Sequence, residues 1–220
     1  MCAKKQQNVL YRCKEFRFLP SQVMNAFMNN AVDPRIDATR NLSLDAALSL
    51  LQEKGVLAVT HAAVSRETGI SRSTLYRHWP QLEDLRNSAF ARAARTEVDP
   101  RPINGPLKDD LIWIIGHLMK VLNETAWGTV APQIIGMAAT EDQTREFLRT
   151  WMEDRSANVA AVLEAAKERG ELGADAPIEK MTEMAIAIPY FRKLVAGRQL
   201  DQEWLETHID AVCSLAGKSD

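Results

Sequence analysis

The length, composition and charge of the chain exclude several classes of protein at the outset. Its 220 residues suffice for one large domain or two smaller ones, and a hydrophobic fraction of 46% allows a sizeable core. A formal net charge of −2 argues against a protein that coats nucleic acid with its whole surface, although it is compatible with a local basic patch. No segment approaches the run of about 18 apolar residues that spans a bilayer.

The amino-terminal segment and the cysteines indicate where the protein works. Arg12, Lys14 and Arg17 interrupt the place where the apolar core of a signal peptide would lie. The three cysteines are odd in number and lack a paired spacing, which is typical of reduced thiols. We therefore expect a cytoplasmic protein that does not enter a membrane.

Residues 1–38 show no sustained hydrophobic period, and we expect a poorly ordered tail there. A short helix around Val23–Met28 is the one regular element predicted within it. Met24 and Met28 could each begin the natural protein, so the sequence leaves open whether residues 1–27 belong to it.

The first strong helical pattern follows this tail. Its apolar residues recur at i, i+3, i+4 and i+7 and are Leu44, Ala47, Leu48 and Leu51. Gly55 stands where this helix is expected to end. Two short helices are then predicted at 60–67 and 71–78, and a longer amphipathic helix is predicted from about Leu82 to Thr96.

Prolines and other helix-breaking residues cluster between residues 99 and 106. A domain boundary placed there divides the chain into the tail (1–38), a first domain (39–97) and a second domain (98–220). Further helices are predicted at about 107–122, 129–139, 142–169, 177–196 and 201–216. No alternation of apolar and polar residues indicates a strand, so the sequence predicts an all-α protein of about nine helices.

The segment from Thr60 to Trp79 carries the most specific pattern in the chain. Thr60 and Ser71 are suitable N-caps for two successive helices, because their hydroxyls can accept hydrogen bonds from the first turn. Gly69 can adopt the positive φ that a tight turn between the two helices requires. Apolar residues within the segment are expected to hold the helices at a fixed crossing. This pattern predicts a helix-turn-helix.

The second helix of this motif leaves polar side chains for an outward face. Together with the N-cap of the first helix, the candidate DNA contacts are Thr60, Arg72, Ser73, Thr74, Tyr76, Arg77 and His78. Hydroxyls and arginines near a helix N-terminus suit base edges and phosphates in a major groove. Arg72 is expected to add base preference, whereas Tyr76 and His78 are expected to donate to phosphates.

The run from Gly55 to Leu85 resembles the amino-terminal domain of the TetR family of bacterial transcription regulators. The residues that carry this resemblance are Gly55, Thr60, Val64-Ser65, Gly69-Ile70-Ser71 and Leu75-Tyr76-Arg77-His78-Trp79. Trp79 stands where the family usually has Phe, which preserves a buried aromatic residue. Leu82 stands where the family usually has a lysine that contacts backbone phosphate, so we expect that contact to be absent here.

Segments of the carboxyl-terminal half resemble one subgroup of TetR-family ligand domains. These segments are 169–172, 189–192 and 197–201. The resemblance implies a small-molecule effector bound between helices, with candidate pocket residues Trp113, His117, Trp127, Met137, Phe147, Trp151 and Met184. Core packing is the alternative role for each of these residues. No pair of basic residues suggests a carboxylate clamp, so a lipophilic or aromatic effector is predicted.

The last two predicted helices carry more apolar residues than one buried stripe requires. The candidate dimer residues are Tyr190, Leu194, Val195, Trp204, Leu205, His208, Ile209 and Val212. The resemblance implies that these helices pair with those of a second copy in a four-helix bundle. A two-fold dimer of this kind would place its recognition helices about 34–36 Å apart on a pseudo-palindromic operator.

Two hypotheses about function follow from these patterns. The first is a homodimeric DNA-binding regulator, taken as a repressor released by its effector, although an activator would have the same sequence pattern. The second is a helical ligand-binding or protein-interaction module with little specific DNA binding, which Leu82 slightly favours. No catalytic, metal-binding or cofactor-binding motif is found, so neither an enzyme nor a cofactor is expected.

Overall fold

The structure, a computed structural model, describes residues 34–93 and 104–216. These two ranges contain nine α-helices and no β-strand, which confirms the all-α prediction. The first range holds α1 (Pro34–Lys54), α2 (His61–Thr68), α3 (Arg72–His78) and α4 (Leu82–Ala93). The second holds α5 (Leu107–Glu124), α6 (Trp127–Ala138), α7 (Asp142–Glu168), α8 (Ile178–Tyr190) and α9 (Gln202–Ser214). The helix predicted around Val23–Met28 and the predicted boundary near residue 98 lie outside the described residues.

Helix α1 begins earlier than the sequence predicts, at Pro34 rather than near residue 39. Proline suits the first turn of a helix because its missing N–H would have no intrahelical partner there. Asp37 adds a negative charge at the positive end of the helix. The helix ends as predicted before Gly55, whose φ of 83° lies in the left-handed region. Residues 34–38 therefore belong to the first helix and not to the tail.

Fully buried side chains hold the first four helices together. Trp79, directly after α3, is buried, and its indole Nε1 donates to Ser88 Oγ of α4 at 3.0 Å. Arg86 of α4 is also buried, and its Nε donates to the carbonyl of Val59 at 3.3 Å. These two bonds satisfy polar groups that would otherwise destabilise the core. They fix the end of α3 against α4.

Helix α5 lies at the centre of the second range and packs against α6, α7, α8 and α9. Its chain leads into α6 through a close turn at Gly128, where an added Cβ would lie 2.1 Å from the carbonyl oxygen of Leu122. Only glycine fits that approach without moving the backbone. None of the described helices is long and apolar enough to cross a membrane.

Helix α8 is shorter than the continuous helix predicted at 177–196. Regular α-helical bonding ends at Tyr190, and a π-helical turn follows over Phe191–Val195. Pro189 lies in the last turn of α8 and has no N–H to donate to the carbonyl of Ala185. His208 of α9 bonds to that carbonyl instead, with its Nε2 at 3.3 Å. Pro189 therefore opens α8 to a hydrogen bond from α9.

The two halves of the described chain are joined by polar contacts as well as by the packing of α4 against α6 and α7. Gln133 of α6 reaches the end of α1. Its Oε1 accepts from the N–H of Val56 at 2.8 Å, and its Nε2 donates to the carbonyl of Leu51 at 3.4 Å. Gln143 of α7 donates to Asp84 Oδ1 of α4 at 2.7 Å. The positions of α1 and α4 thus depend on α6 and α7.

Candidate nucleic-acid interface

The turn between α2 and α3 is built by the three residues that the sequence singles out for it. Thr60 caps α2 by accepting from the N–H of Ala63 at 3.0 Å. Ser71 caps α3 by accepting from the N–H of Thr74 at 3.2 Å. Gly69 has a φ of 73° and ends α2 in the left-handed conformation. The local chemistry of these residues explains why two short helices meet here at a tight turn.

Helix α3 presents most of the predicted contact residues to solvent. Arg72, Ser73, Tyr76 and Arg77 are exposed, with 51% of the Tyr76 surface accessible. Among the described residues, neither Arg72 nor Arg77 forms an ion pair, so both cations are available to phosphates or base edges. This face of α3 can therefore contact nucleic acid without first breaking ion pairs.

The hydroxyls at the start of α3 already bond to one another. Ser71 Oγ lies 2.9 Å from Ser73 Oγ and 2.9 Å from Thr74 Oγ1. A phosphate or base bound at this end must share or replace those contacts. The half-buried Thr74 is the less accessible of the two predicted contact residues.

His78 is set more deeply than the other predicted contacts. Its Nε2 is enclosed and has no hydrogen-bond partner among the described residues. Burial, followed by the nearby charges of Arg77 and Arg40, lowers the pKa of His78, so the imidazole is neutral near pH 7. Arg40 of α1 also lies over the ring of Trp79, at 5.4 Å from its centroid. His78 therefore adds no positive charge to the surface of α3.

His61 is a structural support of this surface that the sequence patterns do not reveal. It is buried, and its ring stacks on that of Tyr76 at a centroid distance of 4.3 Å. Its Nε2 lies 2.7 Å from the carbonyl oxygen of Trp79 and donates to it, since a carbonyl can only accept. One side chain at the start of α2 thus holds both the last turn of α3 and the aromatic ring of Tyr76. No signal marks this role, because its partners are distant in the sequence.

Leu82, at the start of α4, packs against the core as a half-buried apolar residue. No side chain at this position can reach a phosphate as a lysine would. The remaining basic side chains near α3 must supply that contact.

The seven predicted pocket residues divide into two groups. Phe147, Trp127 and Trp151 are buried and pack together, with ring centroids 5.1 Å apart for the two tryptophans and 5.9 Å apart for Phe147 and Trp151. Trp113, His117, Met137 and Met184 are half-buried. None of the seven lines the cavity found between α5, α7 and α8. That cavity is lined by Ile114, Ile115, Leu118, Arg155, Asn158, Val159 and Ile186.

Arg155 is the cavity residue whose importance the sequence patterns miss. It is 5% exposed and occupies a position of the buried stripe of α7 that includes Trp151 and Val159. An arginine in such a stripe is itself a signal, since unpaired charged residues are rarely buried. The helical period alone identifies this position once α7 is recognised as amphipathic.

The predicted dimer residues also divide, and four of them need correction. Leu205, His208, Ile209 and Val212 are buried within the protomer. The reason is that α9 packs on α5, where Leu205 meets Gly116, and that His208 bonds to α8. These four side chains therefore offer no surface to a second copy.

The other predicted dimer residues and their neighbours lie nearer to solvent. Tyr190, Leu194 and Trp204 are half-buried, whereas Val195 is 73% exposed. The apolar side chains exposed at this end of the molecule are Ile188, Phe191, Val195 and Leu215. We call these four the exposed apolar patch.

Comparison with known proteins matches both halves of the chain to one family. Residues 44–89 match the family model of bacterial regulatory proteins of the tetR family, and residues 101–212 match the tetracyclin repressor-like C-terminal domain. The HTH-type transcriptional regulator YdeS of Bacillus subtilis is 27% identical over 173 residues, which cover 78% of this chain and 86% of YdeS.

Solved structures show the same fold. GusR of Salmonella enterica has a TM-score of 0.65 at 19% identity, covering 86% of this chain and 100% of GusR. A transcriptional regulator of Saccharomonospora viridis, solved with choline, has a TM-score of 0.58 at 13% identity and covers 80% of this chain and 95% of its own. With both halves matched and the helix-turn-helix in place, the chain belongs to the TetR family of bacterial transcription regulators.

Proposed function

We propose that this regulator is a repressor that binds a pseudo-palindromic operator as a homodimer and leaves it when a small molecule binds. The exposed face of α3 carries the proposal. Arg72 and Arg77 are accessible there, and the ring of Tyr76 is held in place by His61. Base edges would be read by Arg72, and phosphates would be bound by Tyr76 and Arg77. A chromosomal operator places this activity in the cytoplasm.

The division of labour follows the two described ranges. Residues 39–97 would form the DNA-binding domain, and residues 98–220 the effector-binding and dimerisation domain. The exposed apolar patch supports dimerisation, since large apolar side chains grouped on a surface indicate an interaction site. Phe191 and Val195 would contribute its most exposed contacts.

The polar contacts between the halves offer a physical path for release. A ligand that shifts α6 or α7 would change the bonds that Gln133 makes to the end of α1 and that Gln143 makes to Asp84. Such a shift changes DNA affinity only to the extent that the ligand binds one arrangement better than the other.

Selection of bound duplexes from a random DNA library tests the proposal. The selected duplex is then titrated at several salt concentrations with the wild type, with the double variant Arg72→Ala/Arg77→Ala and with the control Arg198→Ala, which removes an exposed arginine between α8 and α9. We expect a pseudo-palindrome bound by a dimer, a loss of affinity in the double variant and none in the control. Weak, unselective binding in all three proteins would instead favour a ligand-binding module without an operator.

A further inference from the structure

We propose that the cavity between α5, α7 and α8 binds an organic anion with an apolar body, and that Arg155 holds its negative charge. The inference rests on the proposed effector response and names the chemical class of the effector. It departs from the lipophilic or aromatic ligand that the sequence predicts, because no pattern of paired basic residues points to Arg155. The shape, the cation and the surrounding charge of the cavity each contribute to the argument.

The lining of the cavity is apolar apart from two side chains. Five of its seven lining residues are aliphatic: Ile114, Ile115, Leu118, Val159 and Ile186. The polar members, Arg155 and Asn158, come from adjacent turns of α7. The atom-free space is about 290 Å³ and is partly open to solvent, which places it at the lower end of small-molecule sites. Such a lining suits a ligand with a hydrocarbon body and one polar end.

Arg155 is held against the cavity in a defined orientation. Its guanidinium lies 3.6 Å from the centroid of the Trp151 ring, and its Nη1 donates to the carbonyl of Trp151 at 3.1 Å. Stacking on an aromatic face keeps the planar guanidinium from turning freely. A guanidinium presents a fork of N–H donors that matches the two oxygens of a carboxylate. The aromatic cluster thus acts as a rigid base for an anion-binding group.

The charges around the cavity favour an anion over a cation. His117, on the same helix as Ile114 and Leu118, has its pKa lowered to about 4 by burial first and then by Lys120 and Arg155. Its imidazole is therefore neutral at pH 7, and both charged groups that act on it are cations. Asp154 and Tyr190 act on Arg155 in the opposite sense, but burial outweighs them and lowers the pKa of Arg155 to about 10. Arg155 remains protonated at pH 7, and a ligand anion would offset the cost of its burial.

Calorimetry with the full chain and three matched probes tests the inference. Octanoate, 1-octanol and octylamine share one hydrocarbon body and differ in the charge of the head group. We expect octanoate to bind about tenfold more tightly than 1-octanol, and octylamine to bind most weakly. Equal affinities of octanoate and 1-octanol, or tighter binding of octylamine, would overturn the assignment.

Variants at Arg155 separate the charge from the packing. Arg155→Met should abolish the preference for octanoate, whereas Arg155→Lys should retain part of it because the charge remains without the fork. Arg149→Met, on the exposed face of the same helix, is the matched control and should bind octanoate like the wild type. If Arg155→Met does not fold, full loss of the preference in Arg155→Lys supports the role of the fork, and wild-type affinities in Arg155→Lys would contradict it. Unchanged octanoate binding in a folded Arg155→Met protein would also overturn the proposal.

The design keeps this inference separate from the proposed function. Probe binding is measured without DNA, and operator selection is carried out without probe. A protein that selects an operator but shows no preference for octanoate refutes the ligand class alone. A protein that prefers octanoate but selects no operator refutes the repressor proposal alone.

Discussion

At the scale of single residues, the surface of α3 separates side chains that would contact DNA from those that support them. Tyr76 and Arg72 are exposed, while His61 lies buried beneath the Tyr76 ring. An exposed arginine near a helix N-terminus can distinguish bases, whereas a phenolic hydroxyl bound to phosphate cannot. The two kinds of contact therefore differ in their dependence on DNA sequence.

Replacement of Arg72 and Tyr76 should reveal this difference. Tyr76→Phe is expected to weaken binding to the selected operator and to random duplex alike. Arg72→Ala is expected to cost about 1–3 kcal/mol more on the operator than on random duplex. Titration of both duplexes with each variant measures the difference. Equal losses on the two duplexes for Arg72→Ala would contradict a role in base recognition.

His61 should act on DNA binding through Tyr76. His61→Ala removes the stacked ring and the bond to the Trp79 carbonyl, so we expect about tenfold weaker operator binding and a smaller additional cost of Tyr76→Phe. His61→Gln can still donate to the carbonyl and should recover stability more than affinity. A double-mutant cycle with thermal unfolding provides both readouts. Additive costs of the His61 and Tyr76 changes would show that the two residues act independently.

His117 should make the stability of the protein depend on pH. Its pKa is lowered from 6.5 to about 4, by burial first and then by Lys120 and Arg155, so the folded protein resists its protonation. As pH falls from 6.5 towards 4, the unfolded chain takes up a proton that the folded one does not, and stability decreases. Partial exposure limits the loss to about 1–2 kcal/mol. Urea unfolding across this pH range should show a shallower decline for His117→Gln, and a parallel decline would contradict the assignment.

At the scale of elements, the predicted helices agree with the described ones wherever local signals mark their ends. Thr60, Ser71 and Gly69 define α2 and α3 because capping and left-handed turns depend on the residues themselves. The end of α8 differs, since Pro189 frees a carbonyl that only α9 can satisfy. Local signals therefore predict helix ends that local bonds determine, and they fail where a distant helix supplies the bond.

The contact of Gln133 with α1 is testable at this scale. Gln133→Ala removes the acceptor of the Val56 N–H and the donor to the Leu51 carbonyl, and should destabilise the end of α1 locally by about 1–2 kcal/mol. Hydrogen exchange at Val56 should then be faster. Gln199→Ala, exposed between α8 and α9, is the matched control and should leave this exchange unchanged. Wild-type exchange in the Gln133 variant would show that packing alone positions α1.

At the scale of the whole molecule, the exposed apolar patch predicts how two copies meet. Phe191→Asp/Val195→Asp places two charges on it and should yield a folded monomer, because burying unpaired carboxylates is costly. Leu57→Asp, at an 80% exposed position between α1 and α2, is the control and should remain dimeric. Light scattering coupled to size exclusion measures both. A dimeric double variant would exclude the patch as the interface.

The sequence by itself determined the helical class, most helix ends and the helix-turn-helix with its polar face. These features follow from caps, glycines and a hydrophobic period, which operate over a few residues. Only the tertiary structure decided that His61 supports Tyr76, that Arg155 lines the cavity and that Leu205, Ile209 and Val212 face the core of their own protomer. A hydrophobic period shows that a face is buried but not against what, since the partner is chosen by the packing of distant helices.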